Sequence, residues 1–453
     1  MDEPSISFDR GTILIRGPLQ IPNSSYDERS KCFRALALHY AGIKSYLEKS
    51  LLDFNDQVEN LVPCPELRRR SSSSSNLRGY QQKALKTWED SGRRGVIVLP
   101  TGAGKTLIGV KAIESVNAPA IVVVPTLDLM YQWIGVLEEE FGLDIGVIGG
   151  GESITNAITV ATYDSAYLKA PHLGNAFSLL IFDEVHHLPA EGYRQIAEMF
   201  TAPYRMGLTA TYEREDRMER ELPRLIGGKI FEIKPSELAG RYLAPYSIEK
   251  RIVDLTDEER GEYETQRRIF TSYLRSKRIS LIGAAAFRRF IMSTGRSREA
   301  RNALLARNRA LEIALNSQSK IEALRIILSD NKGTKTLIFT QHNSLVHKIS
   351  RNFLIPFITH RTEKTERNQI LEEFKNGTYR AIVTSKVLDE GVDVPDAELG
   401  IVLSGTGSSR EFTQRLGRLL RMRYKKKARL IEIISRETSE GMMSSRRKSR
   451  LER

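Results

Sequence analysis

Cysteine is nearly missing: Cys32 and Cys64 are the only two among 453 residues. They are too far apart for a C-x-x-C clip and too few for a disulfide framework, which fits a reducing compartment and argues against structural zinc. Long apolar runs are missing too. The longest, such as Ala120 to Val124, fall far short of the roughly 18 residues that a spanning helix needs. The opening Met1-Asp2-Glu3-Pro4 lacks a basic-then-apolar signal pattern. A soluble, intracellular chain without a membrane partner is expected. Low-complexity sequence is confined to one place, Arg68 to Arg70 followed by Ser71 to Ser75, and no short-period repeat is present. With 40% apolar and 28% charged residues, the remainder is ordinary folding sequence, so wholesale disorder and a fibrous fold are excluded.

What the chain has in excess is positive charge, and it is concentrated. The net charge is +13. Between Thr265 and Ala310 twelve Arg and Lys stand against the single acid Glu299, and twelve more stand against four acids between Arg421 and Arg453. The rest of the chain is therefore net acidic. Arg275, Lys277, Arg278, Arg288 and Arg289 are interleaved with Phe270, Tyr273, Phe287 and Phe290, the pattern either of a surface where phosphates are neutralised and a base or sugar is stacked or of a solvated helical face with a few core aromatics.

The pattern of apolar residues divides the chain. Two short alternating runs, Ile6 to Phe8 and Thr12 to Ile15, precede a helical pattern from Lys31 to about Leu52. Residues 1–66 thus read as a small α+β module, and 67–76 as a flexible linker. Beyond it, nearly continuous apolar runs (Val96 to Leu99, Ala120 to Val124, Ile158 to Ala161, Leu179 to Phe182) alternate with helix-length segments. That is the pattern of a parallel sheet covered on both faces. A second series begins at Thr336 to Phe339 and continues through Arg380 to Val383, Leu399 to Leu403 and Leu430 to Ile434. Two α/β lobes follow, 77–237 and 317–453, separated by a basic, strand-poor helical insertion at 238–316.

Two motifs in the first lobe carry chemistry. Val96 to Thr106 reads as a strand, a glycine-rich turn (Thr101-Gly102-Ala103-Gly104) and a helix start at Lys105-Thr106. Such glycines let backbone N–H groups converge on a phosphate at a helix N-terminus, a lysine reach the β and γ phosphates, and a threonine hydroxyl ligate Mg²⁺. The strict pattern lacks only its first glycine, which is Leu99 here. Leu180 to His186 is an apolar strand running into Asp183 and Glu184. Asp183 would hold Mg²⁺, directly or through water, and Glu184 would orient and deprotonate the attacking water. ATP and Mg²⁺ are the expected ligands.

These motifs and their neighbours resemble the DEAD/DEAH-like superfamily 2 helicases and translocases from about Leu77 to the end of the second lobe. The resemblance implies two RecA-like lobes and assigns further residues. Gln81 would contact the adenine edge; Thr126 and Thr162 belong to strand-tracking motifs; Thr209-Ala210-Thr211 couples the nucleotide site to DNA. In the second lobe Thr384, then Gly391 and Asp393 within Asp389 to Pro395, occupy the expected places. Gln414, Arg418 and Arg421, which share a face if 414–421 is helical, would reach the γ-phosphate, where a permanently charged fork stabilises the transferring group.

Within that superfamily the chain is similar to the XPB helicases of nucleotide excision repair and transcription initiation, in their short archaeal form. Arg214-Glu215-Asp216 follows Thr211 closely, like the Arg-Glu-Asp motif of that family, and the basic insertion sits where the family carries a thumb-like DNA-gripping element. Tyr242 to Tyr246, leading to Leu255 to Glu259, resembles the crossover between lobes. By position, the N-terminal module would be a damage-recognition domain. The resemblance implies a DNA-stimulated ATPase moving 3′ to 5′ on duplex, forked or damaged DNA, with a nuclease or a transcription or repair factor as a candidate partner; the oligomeric state stays open, a monomer being favoured. Two rivals stay open: a duplex translocase that never separates strands, or an RNA helicase; and a damage- or junction-binding clamp whose chemistry a partner performs.

Overall fold

The computed structural model describes residues 4–17, 21–50, 53–68, 76–214, 216–385, 397–405, 419 and 427–451. The chain divides into two compact units, 1–233 and 234–453.

The first unit begins with five strands: β1 (Ser5–Asp9), β2 (Thr12–Arg16), β3 (Ser24–Asp27), β4 (Cys32–Leu36) and β5 (Asn55–Gln57), with helix α1 (Tyr40–Lys49) packed on them. Their order is β3-β4-β2-β1-β5, antiparallel except for β5 beside β1. The helical pattern read from Lys31 is corrected at its start. Residues 32–36 are a strand, because β2 and β3 pair with both of its edges and pairing overrides a weak local preference. Ile6, Ile13, Ile15, Ala35, Tyr40, Ile43 and Leu47 form the core under the helix. On the polar side, Arg34 ties the strands together, reaching Asp9 at 2.8 Å and Asp27 at 3.0 Å.

This module is docked on the rest of the unit by backbone hydrogen bonds. Asn60 N donates to Asn175 O, Val62 N donates to Ala176 O, and Asn175 Nδ2 donates to Val58 O at 2.8 Å.

The remainder of the unit is an eight-stranded sheet made of β6 (Arg94–Val98), β7 (Ala120–Val124), β8 (Gly146–Gly149), β9 (Glu152–Ile154), β10 (Ile158–Thr162), β11 (Leu179–Asp183), β12 (Tyr204–Thr209) and β13 (Lys229–Glu232). The order is β13-β6-β12-β11-β7-β10-β8-β9, parallel but for β9. Helices α2 (Gly79–Asp90), α3 (Lys105–Val116), α4 (Leu127–Phe141), α5 (Tyr163–Leu173), α6 (Arg194–Met199) and α7 (Leu222–Leu225) accompany it. Strands β7, β10 and β11 are buried at every position, as a doubly covered sheet requires. Strand β12 is not evident as an apolar run because Arg205 interrupts it. Its guanidinium is fully buried and donates to the carbonyls of Ala197, Phe200, Ala202 and Leu225, at the ends of α6 and α7. Burial first, and the neighbouring Arg94 second, push its pKa well down.

The second unit opens with α8 (Pro235–Leu238) and holds a six-stranded parallel sheet: β14 (Tyr246–Val253), β15 (Thr336–Phe339), β16 (Phe357–Ile358), β17 (Ala381–Thr384), β18 (Leu399–Val402) and β19 (Ala428–Ser435). The order is β14-β19-β18-β15-β17-β16. Strand β14 falls inside the stretch read as strand-poor. Glu249, Lys250 and Arg251 mask it, and they are tolerated because β14 is an edge strand paired only with β19, over all eight residues. Helices α9 (Asp257–Ser276), α10 (Ala284–Thr294) and α11 (Arg298–Leu315) follow, then α12 (Gln318–Asp330), α13 (Asn343–Phe353), α14 (Lys364–Asn376) and a C-terminal helix Ser439–Leu451. Here too a charge is buried: Lys320 Nζ lies 2.7 Å from both Glu440 carboxylate oxygens and donates to Leu403 O.

Candidate active site

In a parallel sheet the helix N-termini and the loops that can carry chemistry gather at the carboxyl edge. Strand β6 ends there in the glycine-rich turn and β11 ends there in Asp183 and Glu184. They are not neighbours: β12 lies between them, so Thr209 stands between phosphate loop and acidic pair. The Leu99 N–H donates to Thr209 O at 2.9 Å, fastening the two loops together.

The loop itself depends on glycine. Gly102 and Gly104 have φ of 83° and 77°, the left-handed region. A Cβ on Gly104 would sit 2.5 Å from Gln81 Nε2. Gln81 is buried; its Nε2 donates to Ala103 O at 2.9 Å, and its Oε1 accepts from Arg78 N. Tyr80 Oη donates to the same Ala103 carbonyl. Both side chains of α2 therefore brace the loop from behind, and the Gln81 amide assigned to adenine is engaged by backbone. Lys105 Nζ reaches Leu99 O at 3.3 Å, and Thr106 follows it in the first turn of α3. No side chain caps that helix, and Thr101 Oγ1 is buried in the loop without a hydrogen-bond partner.

Asp183 is buried. Its Oδ2 accepts from Trp133 Nε1 at 2.9 Å and its Oδ1 from Glu184 N at 2.9 Å, while among the described residues no side-chain cation pairs with it. Glu184 takes φ of 47°, a strained value for a side-chain-bearing residue. Its Oε2 lies 3.4 Å from both His186 Nδ1 and Thr209 Oγ1, and His186 Nδ1 is 3.1 Å from that hydroxyl. The Thr211 N–H donates to Thr209 Oγ1 as well. His186 and Trp133 are contributors to which the sequence reading gave no role at this site; a histidine two residues after the acid pair was the available signal for the first, and Gln132-Trp133 reads in the sequence only as part of the strand-tracking motif that starts at Thr126.

A capless helix N-terminus, a lysine beside it, an orphaned threonine hydroxyl and a buried carboxylate without a cation fit a phosphate chain carrying a divalent metal. Thr106 and Asp183 are the side chains with the chemistry to hold Mg²⁺.

Thr126 and Thr162 occupy adjacent strand ends, since β10 pairs with β7. Each hydroxyl caps the next helix, accepting from Leu129 N and Ser165 N. Arg214 turns inward: Nε and Nη2 grip Asp216 at 2.9 and 2.8 Å, and Nη1 donates to His186 O. That pairing holds the Asp216 carboxyl down at about 2.

In the second unit Thr384 is buried at the end of β17 and donates to Ser385 O. Arg275, Lys277, Arg278, Arg288 and Arg289 are exposed on and beside α9 and α10; Lys277 pairs with Glu299 at 3.0 Å. Of the two readings for the aromatic residues among them, the packing favours core: the half-buried Phe270, Tyr273 and Phe287 each lie about 6 Å from the buried Phe290 ring and pack against its cluster with Ala300 and Ala303. Burial of apolar rings outweighs their exposure in a three-helix element this small. Glu215, Gly391, Asp393, Gln414, Arg418 and Arg421 lie outside the described residues.

Residues 6–58 match the family described as the Xeroderma pigmentosum group B helicase damage recognition domain. Residues 74–214 match the res subunit of type III restriction enzymes, and 319–423 the helicase conserved C-terminal domain. The chain is 44% identical over 435 residues to the DNA 3′-5′ translocase XPB2 of Sulfurisphaera tokodaii, covering 96% of this chain and 98% of that one. It is 29% identical to the DNA 3′-5′ helicase XPB of Kineococcus radiotolerans, over 80% of this chain and 60% of the relative. It is 26% identical to the general transcription and DNA repair factor IIH helicase/translocase subunit XPB/SSL2 of Saccharomyces cerevisiae, over 95% and 48%. The Hef helicase domain of Pyrococcus furiosus shares the fold, with a TM-score of 0.54 at 19% identity, covering 83% of this chain and 98% of that one. With a damage recognition domain ahead of helicase domains, and a relative matched over nearly its whole length, the chain belongs to the XPB family of helicases.

Proposed function

We propose that this protein is an ATP-dependent DNA helicase or translocase whose ATPase is stimulated by DNA and which acts in DNA repair, with 3′ to 5′ polarity. The observation that carries the reading is the phosphate loop braced by α2 on one side and joined through Thr209 to Asp183 and Glu184 on the other. Lys105, Thr101 and the α3 N-terminus would bind the triphosphate. Thr106 and Asp183 would hold Mg²⁺, which when bound offsets the negative charge gathering on the phosphoryl oxygens. Glu184, held beside Thr209, would orient the attacking water and take its proton, and Gln414, Arg418 and Arg421 keep the role that the sequence resemblance gives them. Thr126, Thr162 and Thr384 would follow a strand through its phosphates, so binding is sequence-independent and weakened by salt. The names of the relatives support the polarity, and the factor IIH subunits among them support a larger repair or transcription assembly as partner.

Turnover of ATP measured with single-stranded, duplex and forked DNA tests the proposal. Hydrolysis that no DNA stimulates overturns it. A second reading, movement along duplex without strand separation, is supported by the word translocase in the name of the 44% relative; strand displacement on a forked substrate decides between the two.

A further inference from the structure

Trp133 has no step in the chemistry proposed above, yet it is fully buried against it. Its indole N–H donates to Asp183 Oδ2 at 2.9 Å. Its ring lies so close to α3 that a Cβ on Gly109 would come within 2.6 Å of it, and Gly109 is one turn beyond Lys105 on the same helix face. One side chain of α4 therefore touches both halves of the nucleotide site: the helix that starts at the phosphate loop and the carboxylate opposite. About two turns before Trp133, α4 is capped at its start by the Thr126 hydroxyl. Positions 126, 130 and 133 fall on one face at helical spacing, and Met130 crowds Gly149 together with Thr162. The strand-tracking threonines and the metal-holding carboxylate are thus joined by a single rigid helix.

We infer that Trp133 is a positioning residue that fixes the Asp183 carboxylate and transmits displacement of α4 by a bound strand to the nucleotide site. This rests on the proposed function. A carboxylate can rotate about its χ2 bond; a directional N–H donor inside a dry core removes that freedom. Metal affinity then depends on where α4 stands, because the indole moves with its helix while Asp183 stays with β11. Groups that orient a ligand carboxylate in this way affect metal binding by 10- to 100-fold when removed.

The test uses the full chain and Trp133→Phe, which keeps a ring against Gly109 and removes the N–H. Binding of a non-hydrolysable ATP analogue is measured as Mg²⁺ is raised, and ATPase stimulation by single-stranded oligothymidylate is measured alongside. The Mg²⁺ needed for half-maximal binding is expected to rise on the order of 10-fold, and stimulation by DNA to fall several-fold relative to basal turnover. Gly109→Ala, which pushes the ring away without altering it, is expected to act in the same direction. It also serves if Trp133→Phe fails to fold. Because the chain has only two tryptophans, Trp88→Phe leaves Trp133 as the sole tryptophan, and its selectively excited fluorescence should change on addition of Mg²⁺ and the analogue and again on addition of the oligonucleotide. Unchanged Mg²⁺ dependence and stimulation in both variants, even with a lowered melting temperature, reduce Trp133 to packing and overturn the inference, as does emission indifferent to both ligands. A wild-type protein that binds no Mg²⁺-dependent nucleotide instead overturns the functional reading beneath it.

Discussion

Lys105 Nζ reaches the Leu99 carbonyl at 3.3 Å and pairs with no carboxylate among the described residues, so its charge is available to phosphate oxygens. Replacing it with alanine removes the cation without disturbing the buried Gln81 and half-buried Tyr80 that brace the loop. Lys105→Ala is expected to abolish ATP turnover while DNA affinity, measured by anisotropy at fixed salt, stays within about twofold, since surface substitutions outside an interface change binding little. The Arg214–Asp216 pair makes a different prediction at the same scale. The Asp216 carboxyl is lowered from 3.8 to about 2, first by its hydrogen bonds from Arg214. A depressed carboxyl contributes stability that is fully present above its unfolded value and is lost as pH falls through the folded one. Acid titration should therefore show a loss between about pH 4 and 2 that Asp216→Asn lacks. The pair is partly exposed, so after solvent screening the difference is on the order of 1 kcal/mol. The same residues show why the Arg-Glu-Asp spacing was legible as a motif while its geometry was not. Sequence cannot say whether an arginine points at solvent or, as here, back onto the carbonyl of His186.

At the scale of elements, the helices α9 to α11 carry most of the basic residues outward and their aromatic residues inward. Charge reversal at Arg275, Lys277 and Arg278 is expected to weaken duplex or fork binding and lower the salt slope of log K by roughly 2 to 3, with basal ATPase unchanged. Titration at several salt concentrations reads it, and an unchanged slope removes these helices from the DNA interface. Helix α12 shows a buried charge used structurally. Its Lys320 meets Glu440 of the C-terminal helix with both side chains essentially inaccessible, so Lys320→Met leaves a carboxylate buried without its cation. Such a loss costs about 3–5 kcal/mol, read as a lower denaturant midpoint, and a second change of Glu440→Leu should restore part of it. The run from Thr336 to Phe339 reads directly as a strand because both faces are buried, whereas β14 is hidden because an edge strand needs only one partner and keeps its charges. The mistaken helix start at Lys31 has the same root: antiparallel neighbours, not local preference, made 32–36 a strand.

For the whole molecule, the first unit shows how the damage-recognition-like module is held. It is stitched to the sheet domain by backbone hydrogen bonds of Asn60 and Val62 and by the Asn175 amide. Asn175→Ala is expected to cost about 1 kcal/mol and to speed hydrogen exchange at the Asn60 and Val62 amides, which mass spectrometry would read; exchange unchanged there would mean the seam is held by other contacts. The sequence by itself determined the composition of the motor: strands as apolar runs, a phosphate loop as glycines before Lys105, an acid pair at a strand end, and a basic insertion. These are local patterns, and each is written in consecutive residues. Only the tertiary structure decided that β12 lies between β6 and β11, that Trp133 bonds Asp183, that Gln81 braces the loop and that Arg205 is buried among carbonyls. Those facts depend on which strand lies beside which, and strand order is set by packing across the whole sheet rather than by any one stretch of chain.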